Sequence, residues 1–129
     1  MSQSHRATHR PFTLALCAAC RSPLAPAILE QLRATVRRSD HGMLVTTGCL
    51  LGEFTCAARG KCAGAVLMLQ PCSIERVPHG PARWIGPIGD PNDLRMVCSW
   101  VEQGRWISHL LPERLRLDLQ LSHRANRAN

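Results

Sequence analysis

The chain has 129 residues, 45% of them hydrophobic, and a formal net charge of +7. That is enough for one domain with an ordinary core, and its odd count of seven cysteines excludes complete intramolecular pairing. The basic residues are scattered from Arg6 to Arg127 without a run, and there is no Tyr and little Phe to stack bases, so the charge reads as a solvated surface rather than a nucleic-acid site.

Met1 to Pro11 reads as a disordered basic arm. The apolar stretch after it, Phe12 to Ala19, is far too short to span a membrane. It is also short for a leader, and Cys20, Arg21 and Pro23 stand where a leader needs small residues. A cytoplasmic, reducing setting is therefore expected, in which grouped cysteines serve metal or redox chemistry more often than structural disulfides.

Within that stretch Phe12 to Leu16 has the continuous apolar character of a strand covered on both faces. Ser22-Pro23 then reads as an N-cap with Pro at the first helical position. Ala25, Ile28, Leu29, Leu32 and Val36 recur at helical spacing, with Arg33, Arg37 and Arg38 on the other face. Asp40-His41-Gly42 ends that helix, and Met43 to Thr46 is the second strand, completing a βαβ unit. Gly48 to Gly64 is a loop rich in glycine and cysteine. Ala65 to Leu69 is a third, central strand, and Trp84 to Gly86 a short fourth. Asp90 to Asp93 caps a last helix that buries Leu94, Val97, Cys98 and Val101 and stops at Gly104. Leu111 to Asn129 is expected to be a short helical or disordered extension. The expected divisions are an arm at 1–11, an α/β domain of order β-α-β-β-β-α at 12–110, and the extension at 111–129.

The cysteines follow this plan. Cys17 and Cys20 come directly after the first strand, and Cys49, Cys56 and Cys62 come after the second. A right-handed βαβ connection makes those strands parallel, so their C-terminal ends share one edge of the sheet. Thiols about thirty residues apart in sequence then meet in space. Four thiolates in such a place suit a [2Fe-2S] cluster, and the same set could hold zinc or no metal. A CxxC before a helix also suits dithiol–disulfide exchange through Cys17 and Cys20.

The stretch from Phe12 to Leu115 resembles the small thioredoxin-like [2Fe-2S] ferredoxins, in particular bacterial ferredoxin-domain proteins described as metal-binding. The resemblance lies in Cys17 and Cys20 after the first strand, Thr47-Gly48-Cys49-Leu50 after the second and Val66 to Pro71 in the third. Pro81 to Ile88 and Trp100-Val101-Glu102-Gln103-Gly104 complete it. It implies a thioredoxin-like fold with a mixed sheet flanked by helices, a [2Fe-2S] cofactor and single-electron transfer to a redox partner protein. The implied ligands are Cys17, Cys20, Cys49 and Cys56, with Cys62 the other candidate, because Glu53 occupies the place of the family's fourth cysteine. A second copy of the chain is a further candidate partner; neither a membrane nor nucleic acid is expected.

The remaining candidates read as structural. Cys98 falls on an apolar helix stripe and is expected in the core, whereas Cys72, after Pro71 in a loop, is expected at the surface. His5, His9, His41, His79, His109 and His123 have no partner at ligand spacing. Trp84, Trp100 and Trp106 are expected as core or interface anchors.

Overall fold

In the computed structural model, which describes residues 7–17, 25–47 and 65–117, the first apolar run is strand β1, Phe12–Cys17. Helix α1, Ala25–Arg38, precedes β2, Gly42–Thr47. Strands β3, Ala65–Pro71, and β4, Arg83–Ile88, are followed by helix α2, Pro91–Gln103, and two short 3-10 turns at Ser108–Leu110 and Glu113–Leu115. The sheet order is β2-β1-β3-β4. β1 and β2 are parallel, and β3 is antiparallel to both β1 and β4. The architecture is thus α/β with a four-stranded mixed sheet, and the third strand is internal, as its apolar sequence requires.

One face of the sheet makes the core. Phe12, Leu14 and Leu16 of β1 alternate onto it beside Leu67 and Leu69 of β3 and Ile85 of β4. Helix α1 lies over β2, α2 lies against β4, and the two helices touch. Ile28 and Leu32 supply the stripe of α1, with Leu29 and Val36 partly buried. Leu94, Val97, Cys98 and Val101 form that of α2, joined by Trp100. Thr35 is also buried, though hydrophobic periodicity gives no hint of it. Its hydroxyl donates to Glu102 Oε2 at 3.1 Å on α2, and Arg38 pairs with the same carboxylate. These contacts hold the last turns of the helices side by side, so α1 and α2 run in the same direction.

Both ends of α2 are built as its sequence indicates. The Asp90 side chain accepts from Asp93 N–H at 2.8 Å, and Gly104 takes the left-handed conformation with its N–H donating to Val101 O. Asp93 is buried and anchors the segment beyond α2, because its Oδ1 accepts from Arg114 Nε at 3.2 Å and pairs with Arg114 Nη2. Leu111, Leu115 and Leu117 are buried, and Arg116 forms a bridge to Ile85. This described part of the 111–129 segment therefore packs on the sheet. The described part of the N-terminal arm is likewise docked: Ala7 is buried and Thr8 N–H donates to Glu102 O at 2.8 Å. Asp93→Ala leaves the Arg114 guanidinium without its acceptor and is expected to cost about 2 kcal/mol, measured by urea unfolding. Arg114→Ala should cost at least as much, because it leaves the buried Asp93 carboxylate without its cation.

Candidate functional site

The parallel register pairs Phe12 with Gly42 at one end and Cys17 with Thr47 at the other. The edge where β1 and β2 end is taken as the upper edge. Pairing of Leu16 with Leu67, and of Ala65 with Ile88, puts the start of β3 and the end of β4 at this upper edge as well. Gly86 lies close by on β4 at φ 141°, and a Cβ there would stand 2.8 Å from Ala65 O, beside a register shift in β3. Only glycine fits that approach. Because α1 follows β1 and α2 follows β4, both helices begin near the upper edge and direct their positive dipole ends toward it.

Of the five candidate ligands, Cys17 is described: it is 4% exposed at the end of β1, beside Thr47. Cys20, Cys49, Cys56 and Cys62 lie outside the described residues, as do Glu53 and the Ser22-Pro23 cap. In sequence Cys20 follows Cys17 by three residues, Cys49 follows Thr47 by two, and Cys62 precedes Ala65 by three. Each tether starts from a residue at the same upper edge. Among the described residues, no three His, Cys, Asp or Glu side chains come together as a metal site.

Cys72 corrects an expectation. It is 5% exposed, not a surface thiol. The turn after β3 folds back through a Cys72–Pro78 bridge. Arg76, at φ 69°, reaches inward to donate to Phe12 O at 2.9 Å and His41 O at 3.0 Å. Its guanidinium also lies 3.6 Å from Cys72 Sγ. A loop position in sequence carried no signal that Arg76, four residues on, would bond carbonyls far back in the chain and close over the thiol. Since Pro71 pairs with Phe12, Cys72 stands at the lower edge, at the opposite end of the sheet from Cys17.

Cys98 is buried on α2, as expected. It lies at a groove of about 620 Å³ between the helices, lined also by Gln31, Arg38, Arg95, Ser99 and Glu102. Burial pushes its thiol above the ordinary value and the Glu102 carboxylate adds to this, while a hydrogen bond with Thr35 and the charge of Arg38 oppose it. A thiol so held is a poor nucleophile at neutral pH. Folding also binds its proton more tightly than the unfolded chain does. Its stabilising contribution is therefore complete below the ordinary value of 9.0 and is lost as pH rises through the higher folded value. We expect native stability to fall in that alkaline range, and Cys98→Ala to flatten this part of the denaturation profile.

Trp100 and Trp106 are anchored by Nε1 donation to Ile107 O at 2.9 Å and Val101 O at 3.0 Å. Phe12 meets Trp106 edge-on and Arg10 covers its ring, so these aromatics serve the core. No helix among the described residues is long and apolar enough to cross a membrane. Comparison of the chain with protein-family models, curated proteins and solved structures finds no match in any of the three.

Proposed function

We propose that the chain is a thioredoxin-like [2Fe-2S] protein that carries single electrons to a partner enzyme, with Cys17, Cys20 and Cys49 as ligands and Cys56 or Cys62 as the fourth. The observation that carries this reading is the pairing of Cys17 with Thr47. Two segments that hold five of the seven cysteines leave the sheet side by side at one edge. A tether of two residues reaches no more than about 7 Å and one of three about 11 Å. Tethers of this length allow Cys20, Cys49 and Cys62 to reach that edge, which supports the reading. The sheet order β2-β1-β3-β4 with β3 antiparallel suits the fold the resemblance implies.

The chemistry of the donor set fits the group. Thiolates are the usual ligands of such clusters, and the helix starts of α1 and α2 near the same edge stabilise negative charge there. When bound, the cluster would supply one-electron redox chemistry; the chain would supply its ligands and limit access of water. Cys17 suits a ligand better than an attacking thiol, because at 4% exposure it has little access to a disulfide substrate. The test is iron and acid-labile sulfide analysis of anaerobically purified protein, with absorption and reduced-state EPR spectra. Zinc in place of iron would select a zinc-stabilised adaptor. Metal-free protein that reduces insulin would select dithiol exchange through Cys17 and Cys20.

A further inference from the structure

The lower end of the sheet carries the two most exposed large hydrophobic side chains among the described residues, Ile74 at 60% and Val77 at 58%. They stand on the turn between β3 and β4, and that turn is firmly built. Ser73 N–H donates to Val77 O at 2.8 Å, Arg76 N–H to Ser73 O at 2.9 Å and His79 N–H to Pro71 O at 2.8 Å. Val77 N–H donates to Ser73 Oγ at 3.1 Å. From the turn, Arg76 reaches across to the starts of β1 and β2 and fixes the tip against them. Two aliphatic groups are thus held out to solvent by a backbone whose donors are largely satisfied within the turn.

The surroundings are basic. Arg10 precedes β1, Arg37 is in the last turn of α1, Arg83 pairs opposite Leu69 and Arg105 comes after the end of α2. With Arg76 these make five arginines at the lower end, and no carboxylate among the described residues pairs with them. Three acids share this end: Glu75, exposed at the tip, Asp40, which pairs with His9, and Glu102, which pairs with Arg38, so the arginines still outnumber the carboxylates.

We propose that this lower end is a docking surface for an anionic lipid bilayer, with Ile74 and Val77 entering the headgroup boundary and Arg37, Arg83 and Arg105 meeting lipid phosphates, while Arg10 and Arg76, bonded within the fold, add to the positive field. A convex apolar tip needs no complementary pocket in a bilayer, and its internally bonded backbone can enter a poorly hydrated layer at little cost. The net positive charge of this end selects negative lipid. The same charge argues against a second copy as occupant, since two such faces would set positive against positive. The surface lies at the end of the sheet away from Cys17, so docking leaves the upper edge free; the proposal stands whether or not a cluster is bound. It departs from the sequence expectation of no membrane partner.

The test is sedimentation of the full chain with vesicles of phosphatidylglycerol and phosphatidylcholine in equal parts, and with phosphatidylcholine alone. Binding to the mixed vesicles is expected, weaker on the neutral ones and reduced by salt. Ile74→Asp/Val77→Asp should lower it by roughly tenfold or more, and Glu75→Gln should raise it. All three positions are exposed, so folding should survive, as circular dichroism can verify. Failure to bind either vesicle would overturn the proposal and leave the surface to an acidic protein partner. Binding that ignores the double substitution, or that is as strong on neutral vesicles, would overturn it equally.

Discussion

Anaerobically prepared protein is expected to be coloured and to contain iron and acid-labile sulfide in equal amounts, about two of each for a four-thiolate site. Cys17→Ala should abolish that content and the reduced-state EPR signal. Cys72→Ala and Cys98→Ala should retain both, because one thiol is at the lower edge and the other is between the helices. Loss of a single sulfur at a buried position costs about 1 kcal/mol, so Cys17→Ala should still fold. Its lost iron can then be read as a lost ligand rather than a lost fold. Cys49→Ala should behave like Cys17→Ala, while Cys56→Ala and Cys62→Ala should differ from each other and thereby name the fourth ligand. Colourless wild-type protein without iron or sulfide, even after reconstitution, would end the cluster reading. Full iron in Cys17→Ala would remove this residue from the site.

Gly104→Ala is expected to lower stability by roughly 2–4 kcal/mol, from the left-handed backbone and from overpacking together. Gly104 has φ 76° and closes α2. A methyl group there would also stand 2.6 Å from Thr8 Cβ, closer than real side chains approach. The neighbouring contacts would move together. Arg10 bonds Gly104 O and covers the Trp106 ring, and Thr8 holds Glu102 O. Thermal unfolding should show a midpoint lowered by roughly 10 °C or more. Thr8→Gly in the same chain should recover the steric part but not the backbone part, so the double variant should be more stable than the two single costs added together. A Gly104→Ala protein within about 0.5 kcal/mol of wild type would show that the arm does not hold this cap.

The local architecture was legible in the sequence wherever one segment carried its own signal. The stripe Leu94, Val97, Cys98 and Val101, with Asp90 before it and Gly104 after it, specifies α2 and its limits, because caps and helical spacing act within a few residues. The same holds for Ile28 and Leu32 on α1, and for β1 and β3, whose continuous apolar runs match their near-continuous burial. A parallel β1–β2 pair could also be expected from the βαβ order alone, and it is this pairing that sets Cys17 beside Thr47. Tertiary structure decided what depends on groups far apart in the chain. Thr35 is buried because Glu102, 67 residues on, accepts its hydroxyl proton. Cys72 is buried because Arg76 reaches the carbonyls of Phe12 and His41, 64 and 35 residues back in the chain. Ala7 and Thr8 dock because a glycine without a side chain leaves them room at the end of α2. Such contacts leave no periodic trace in sequence; their partners become neighbours only when the sheet and helices assemble.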